Sequence, residues 1–348
     1  MRPSINYNAR QPALIRLNGV KVARVSPGLL LFVLAIIAFG AGFAALVFGS
    51  TDLGAADVWL SLAGNAQPGT RDVIMGLRLP RALTAFGVGG LLAVAGVLMQ
   101  VLLRNPLAEP YILGTSGGAA VAALLAMMLG LGAMLVDISA FGGAMFATML
   151  VFSIAQGSGN WTPTRLLLTG VVLAAGFSAA TTLLLALSPD QNLRGMLFWL
   201  VGDLSYSYAP ARSLWLLAGI TSVGLITARD LNVLARGDLQ AAILGLPVAS
   251  FRIFIFAITA LATAISVTTV GVIGFIGLVV PHLVRLVAGS DHRIVLPASA
   301  LAGGILLILA DTLSRTVLAP RQLPVGALTA MIGVPLFLIL MGRSRRAG

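Results

Sequence analysis

The sequence contains no cysteine, and only 9% of its residues are charged. The missing cysteines exclude disulfide bonds, thiolate metal sites and cysteine nucleophiles. A soluble domain carries about 25% charged residues, so a chain of 348 residues with 58% hydrophobic side chains cannot build a water-exposed surface. Lipid is therefore the expected solvent for most of the molecule.

Two sequence motifs for catalysis are also missing. The chain has no G-x-x-x-x-G-K-[ST] phosphate loop and no H-E-x-x-H zinc motif. Its one glutamate is Glu109, and the two histidines, His282 and His292, are too few to build a multi-histidine metal site within one chain. We therefore predict that this chain is not an enzyme and holds neither a metal ion nor a cofactor.

The uncharged apolar runs predict an all-α polytopic membrane protein, because about 20 apolar residues are needed to cross the hydrocarbon core. The alternating ten-residue segments of a β-barrel are absent. The charge-free stretch from Ile253 to Pro281 is long for one span, so we divide it into two, with the break expected at 268–271, where β-branched residues precede a glycine, and the second span running on to about Val287. About ten transmembrane helices result, near 29–49, 81–104, 111–136, 138–156, 166–187, 211–228, 253–268, 271–287, 294–317 and 324–342.

The distribution of basic residues predicts the orientation. The net charge of +11 comes from residues scattered between apolar runs, which indicates membrane topology rather than nucleic-acid binding. With both termini in the cytoplasm, most of the 22 Lys and Arg residues lie inside, as the positive-inside rule requires. The chain then divides into a cytoplasmic tail, 1–28, and a single transmembrane domain, 29–345.

Two regions between the spans are predicted to form short helices outside the membrane core. Residues 188–210 combine charges with aromatic side chains, which favours a short helix at the periplasmic membrane surface. Residues 229–246 form the largest cytoplasmic loop, where Asp230 and Asp238 are expected to cap two short helices separated by Gly237.

One acidic residue lies inside a predicted span. Asp311 is four residues before Arg315, so a local ion pair on one helix face accounts for it. An ion-coupled carrier needs ionisable groups in the middle of the membrane. A partner that supplies the energy is therefore the preferred interpretation, and an ion-coupled secondary transporter without an ATPase is the alternative.

Four stretches carry a resemblance to a known family: RLPR at 78–81, RNPLAEPYILGTSGGA at 104–119, GVIGFIGLVVPHLVRL at 271–286 with Asp291–Arg293, and LADTLSRTVLAPRQLPVGALTAMIGVPLF at 309–337. In this order they resemble the permease family of bacterial ABC importers for ferric siderophores, haem and cobalamin. The resemblance implies a type II importer permease fold in the bacterial inner membrane. It also implies a homodimer, two cytoplasmic ATPase subunits that bind ATP and Mg, and a periplasmic substrate-binding protein.

The resemblance also implies three functional sites. The residues expected to dock the binding protein are Arg78, Arg81 and Arg315, for which snorkelling to lipid headgroups is the alternative. The residues expected at the cytoplasmic gate are Asn105, Leu107, Thr162, Pro163 and Thr164, for which ordinary loop turns are the alternative. The residues expected to couple to the ATPase are Asp238, Leu239, Ala241, Ala242 and Gly245; a solvated loop is the alternative, although exposed Leu239, Ile243 and Leu244 would then be left uncovered.

Overall fold

The structure, a computed structural model, describes residues 26–344 apart from Ser50, Asp52, 158–161 and 206–209, together with 16–17 and 20–21. Most of the predicted tail, 1–28, lies outside the described residues. The first helices are α1 (Pro27–Val47), α2 (Ala55–Leu62), α3 (Pro68–Arg71), α4 (Leu79–Leu102), α5 (Thr115–Met128), α6 (Ala133–Gln156), α7 (Pro163–Leu187) and α8 (Asp190–Val201). The remaining helices are α9 (Pro210–Ile226), α10 (Ala228–Leu234), α11 (Asp238–Ile243), α12 (Val248–Val270), α13 (Ile276–Ala288), α14 (His292–Thr316) and α15 (Val325–Ser344).

The other regular elements are short. A π-helical turn, Asp72–Arg78, joins α3 to α4, and a 3-10 helix, Pro110–Leu113, precedes α5. The strands β1 (Arg16–Leu17) and β2 (Val20–Lys21) form one antiparallel pair.

The described helices confirm a polytopic all-α architecture. Six of them are long and apolar enough to cross a membrane, and α9 with α10 forms a further candidate bent by 63°. Three shorter apolar helices, Thr115–Met128, Ile276–Ala288 and Val325–Ile339, complete the bundle. Taken together, these elements agree with the predicted count of about ten. Helices suit this environment because each satisfies its own backbone hydrogen bonds where water is absent.

Helix α4 lies at the centre of the bundle. It packs against α9, α12, α13 and α14, and nearly every residue from Gly87 to Leu102 is buried. Glycine makes these contacts close: a Cβ placed at Gly89 would overlap the carbonyl oxygen of Gly303, and one at Gly96 would overlap that of Gly277. The glycine content thus serves backbone-to-backbone packing between helices.

One predicted span and two predicted helix caps need correction. The third span is not one helix over 111–136, because α5 ends at Met128 and residues from Ala133 onward begin α6. The chain turns at Gly130, whose φ of +69° is accessible to glycine. The predicted capping roles of Asp230 and Asp238 are wrong, since the N-cap positions are occupied by Thr227 and Gly237.

Other features of the prediction are present. The break between two helices at 268–271 occurs, since α12 ends at Val270 and α13 begins at Ile276. Gly271 has a φ of +75° at this point. A short helix, α8, lies within 188–210, and two short helices, α10 and α11, lie within 229–246 on either side of Gly237.

Candidate docking, gate and coupling sites

The three arginines predicted for docking lie inside the bundle. Arg78, Arg81 and Arg315 have exposed fractions of 4%, 9% and 7%. Together with Asp311 they form what we call the outer cluster, after the side of the membrane on which they are predicted. Their role in docking stays a prediction, but each side chain already has partners within the chain.

Asp311 is the centre of the outer cluster. Its carboxylate is 1% exposed and accepts two-pronged hydrogen bonds from Arg81, with Nε and Nη2 at 2.9 and 2.7 Å from Oδ1. Arg315 Nε lies 3.2 Å from Oδ2 of the same carboxylate. The predicted pair four residues apart is therefore present, but Arg81, which is 230 residues away in sequence, makes the shorter contact. This link ties α4 to α14.

The remaining guanidinium groups of the outer cluster bind backbone and polar side chains. Arg78 donates to the carbonyl oxygens of Leu46, Val47 and Thr51, each at 2.7 Å. It thereby neutralises the C-terminal end of α1, where carbonyl groups lack helical partners. Arg81 Nη1 reaches Gln322 Oε1 at 3.1 Å, which joins α4 to the segment before α15.

The predicted gate residues form two helix-boundary turns. Asn105 Oδ1 accepts from the backbone N–H of Leu107 at 2.9 Å, an Asx turn that shapes the loop after α4. Thr162 caps α7, with its hydroxyl accepting from the N–H of Arg165 at 3.3 Å, and Pro163 occupies the first helical position, where its missing N–H costs nothing. Thr164 is exposed. This local geometry fits a gate and ordinary loop turns equally well.

The predicted coupling residues lie on and just after α11. Leu239, Ile243 and Leu244 are 76%, 75% and 65% exposed. In contrast, Ala241 is fully buried, Ala242 is exposed, and Gly245 turns the chain with a φ of +85°. We call residues 238–245 the coupling segment. Three large apolar side chains on one such short segment form a surface suited to burial by another protein.

Salt bridges hold the coupling segment in place. The carboxylate of Asp238 accepts hydrogen bonds from Arg252, whose Nη2 lies 2.7 Å from Oδ1 and 2.8 Å from Oδ2. Arg104 lies 3.5 Å from the same carboxylate. It begins the loop after α4 that contains Asn105 and Leu107, which we call the gate loop. Asp238 is thus drawn away from helix capping by a buried arginine on α12, and it connects the coupling segment to both α12 and the gate loop.

A further contact was not anticipated from the sequence. Oε1 of Glu109 accepts from the N–H of Phe275 at 2.8 Å, and the hydroxyl of Tyr111 accepts from the N–H of Ile273 at 3.2 Å. Phe275 has a φ of +70°, a conformation rarely adopted outside glycine. Burial raises the pKa of Glu109. The loop after α4 therefore supplies the partners of the non-helical break between α12 and α13.

The two histidines lie outside any cluster of metal-ligating side chains among the described residues. Among the described residues, no group of three or more His, Cys, Asp or Glu side chains could hold a metal ion. His282 is partly buried on α13, and His292 is at the start of α14. Their side chains therefore do not form a shared ligand set with acidic residues in the part of the chain that the structure describes.

The chain is similar to known transport proteins over most of its length. The FecCD transport family matches residues 19–343. The chain is 39% identical over 345 residues to the hemin transport system permease protein HmuU of Yersinia pestis, covering 95% of this chain and 100% of that one. It is 38% identical over 298 residues to the vitamin B12 import system permease protein BtuC of Shigella boydii, covering 84% and 90%.

Two solved structures are similar in fold. One is described as a metal-chelate type ABC transporter in an inward-facing conformation; it has a TM-score of 0.80 and 30% identity, covering 91% of this chain and 99% of that one. The other, PsaBC from Streptococcus pneumoniae in complex with Fab, has a TM-score of 0.55 and 17% identity, covering 77% and 93%, and it shows a shared fold alone. These likenesses confirm the predicted importer permease fold.

Proposed function

Because this chain belongs to the FecCD transport family, we propose that it is the membrane-spanning permease of an ATP-driven importer for an iron chelate, haem or cobalamin. Two copies form the pathway, two cytoplasmic ATPase subunits drive it, and a periplasmic binding protein delivers the substrate. The ATPase activity of such transporters lies in the partner subunits. The bacterial inner membrane, with both termini in the cytoplasm, is the corresponding location.

The coupling segment is the observation that carries the proposal. Leu239 and Ile243 project from a six-residue helix with three quarters of their surface exposed. Asp238 fixes that helix to Arg252 and Arg104. Exposed apolar side chains on a rigidly held helix suit insertion into a partner, and movement of the helix would be transmitted to α12 and the gate loop.

The outer cluster supports docking by competition, in which acidic groups of the binding protein replace Asp311 as partners of its arginines. Its arginines are buried, and Arg81 and Arg315 are engaged with Asp311, so carboxylates of a binding protein would compete with Asp311 for these two guanidinium groups. Charge complementarity of this type sets orientation and association rate. Docking would then loosen the link between α4 and α14, which gives the binding protein a way to favour an open outer end.

The ion-coupled carrier is less well supported. A coupling site needs an ionisable group that can exchange its ion within the membrane. Asp311, the acidic residue that the sequence offered for this purpose, is bound by two arginines. A carboxylate so occupied is suited to holding two helices together.

The test uses the apolar side chains of the coupling segment. We expect Leu239→Ser and Ile243→Ser to abolish co-purification of the ATPase with the permease, because both remove apolar surface from the contact without disturbing the buried bundle. Leu129→Ser is the matched control, since Leu129 is 68% exposed and lies at the predicted opposite end. Full retention of the ATPase by both coupling variants would refute the assignment.

A further inference from the structure

A basic cavity lies beside the coupling segment, and Arg104 and Asn105 of the sites above form part of its lining. It encloses about 600 Å³ between the ends of α4, α10, α13 and α14. This volume is within the range of small-molecule sites. We call this space the basic cavity, and the side chains that matter for its chemistry are Arg104, Arg236, Arg285, Asn232, Asp291 and His292.

Positive charge dominates the lining. Among the described residues, three guanidinium groups line the cavity with one carboxylate, that of Asp291, and Arg104 also lies 3.5 Å from the carboxylate of Asp238. The carboxylate of Asp291 is already engaged, because it accepts from Asn232 Nδ2 at 2.8 Å and from the backbone N–H of Arg293 at 3.0 Å. These two hydrogen bonds hold the pKa of Asp291 below its ordinary value. Asp291 therefore stays ionised and offsets one of the three positive charges of the lining, which leaves the lining with a net positive charge.

Arg285 has a polar partner but no acidic one among the described residues. It is partly buried, and its side chain donates to Gln100 Oε1. Gln100 in turn donates to the carbonyl oxygen of Leu278 at 3.3 Å. Among the described residues Arg285 forms no salt bridge. A charge removed from water is costly unless a counter-charge accompanies it, so this guanidinium lacks its expected partner.

The opposite wall of the cavity is fixed by hydrogen bonds. Asn232 Oδ1 accepts from the backbone N–H of His292 at 3.0 Å and contacts His292 Nδ1 at 2.6 Å. Since Oδ1 can only accept, Nδ1 carries the proton. Nε2 of His292 is buried with no hydrogen-bond partner among the described residues. The hydrogen bonds to Asn232 hold this wall rigidly, as a preorganised site requires, but Nε2 of the Nδ1-protonated ring has a lone pair and does not donate to an oxyanion.

We infer that the basic cavity is a binding site for an oxyanion of the phosphate class, held chiefly by Arg236 and Arg285. Guanidinium groups match phosphate because their planar N–H donors bind two oxygens at once. The volume accommodates a phosphate group with an attached glycerol or with ordered water. The anion is either free phosphate or the headgroup of an anionic phospholipid, and both present the same oxygens to the two arginines.

The experiment measures phosphate binding to the full chain in nanodiscs of phosphatidylcholine. Calorimetric titration with inorganic phosphate, at an ionic strength held constant with sodium chloride, gives the dissociation constant. We expect Arg236→Gln and Arg285→Gln each to raise it about tenfold, the size of one charge-assisted hydrogen bond. Arg229→Gln is the matched control, because Arg229 is exposed on α10 and does not line the cavity, and it should bind as the wild type does.

A second set of nanodiscs distinguishes the two sources. If the headgroup occupies the cavity, phosphatidylglycerol nanodiscs will abolish phosphate binding, and phosphatidylglycerol will co-purify with the wild type but not with Arg236→Gln. If free phosphate is the ligand, binding will be equal in both kinds of nanodisc. Either result supports the site.

Other results overturn the inference. Unchanged phosphate binding in Arg236→Gln would overturn it. Because Arg236 is exposed, this variant remains decisive even if Arg285→Gln fails to fold. Absence of both phosphate and phosphatidylglycerol binding would also do so. If the wild type bound neither ligand, and substitution of Arg236 or Arg285 abolished co-purification of the ATPase, the arginines would instead be assigned to contact with an acidic partner surface.

Discussion

Replacing Asp311 by alanine would leave Arg81 and Arg315 buried without the carboxylate that both contact. Arg81 loses a two-pronged hydrogen bond at 2.7 to 3.0 Å, and Arg315 loses a contact at 3.2 Å. Removing one partner of a buried ion pair costs about 3–5 kcal/mol, because the remaining charge stays desolvated. We expect the free energy of unfolding to fall by that amount, and Asp311→Asn, which keeps an acceptor oxygen, to cost less.

The assay is reversible unfolding of the purified permease in mixed micelles, followed by helical circular dichroism. Asp72→Asn is the control, because Asp72 is exposed near the same end of the bundle, and such a surface change should lie within about 0.5 kcal/mol of the wild type. An Asp311→Ala variant as stable as this control would refute the reasoning that the outer cluster holds α4 against α14.

The same substitution separates a structural role from a docking role. In Asp311→Asn the guanidinium of Arg81 is no longer held by an opposite charge, so an acidic binding protein should associate at least as tightly as with the wild type. Surface plasmon resonance at two salt concentrations measures this. If Asp311→Asn weakened association as much as Arg81→Gln, competition between Asp311 and the binding protein would be excluded.

Three further substitutions test other contacts. Glu109→Ala should lower the free energy of unfolding by about 1–3 kcal/mol in the same unfolding assay, because it leaves a backbone N–H without its acceptor, whereas Glu109→Gln keeps an acceptor and should cost little. Gly96→Ala should cost about 1–3 kcal/mol through overpacking against α13, read as a lower melting temperature. Asp238→Asn should lower substrate transport per ATP hydrolysed by several fold in proteoliposomes, because it weakens charge-assisted hydrogen bonds to Arg252.

Each of these has its own control and contrary result. Gly42→Ala should be silent, because nothing lies within 4 Å of a Cβ added there; equal losses at Gly42 and Gly96 would contradict the packing argument. Equal stability of the Ala and Gln variants at Glu109 would remove its role as an acceptor. Asp230→Asn, on the neighbouring α10, should couple normally, and a similar defect there would point to the loop as a whole.

Most of the architecture could be predicted because lipid imposes a simple rule. Uncharged runs of about 20 residues had to be helices, and the charges between them marked the ends. The prediction was wrong where a helix was too short to follow this rule, as in 111–136, where Gly130 turns the chain after a 14-residue helix. Hydropathy alone does not reveal such a turn, because the residues on both sides are apolar.

The sites could be predicted in part. The coupling segment could be predicted because Leu239 and Ile243 are large apolar side chains in a predicted cytoplasmic loop, and the structure gives both an exposed position. The pairing of Arg81 with Asp311 could not be predicted from spacing, because the two residues are far apart in sequence. The same is true of Glu109 with Phe275 and of Asp238 with Arg252, which meet only when the helices pack.

The basic cavity illustrates the limit of reading charges along the chain. The predicted orientation places Arg104, Arg236 and Arg285 on the cytoplasmic side, where the positive-inside rule accounts for each of them. Only the packing of α4, α10 and α13 brings them around one space. Their convergence, rather than their number, is what indicates a ligand.

Uptake into proteoliposomes tests the central claim most directly. The permease is reconstituted with and without its ATPase, substrate-loaded binding protein is placed outside, and the accumulation of labelled haem, ferric siderophore or cobalamin is followed with and without ATP. We predict accumulation against a gradient only when both ATPase and ATP are present. Accumulation by the permease alone, abolished by an ionophore, would contradict the account.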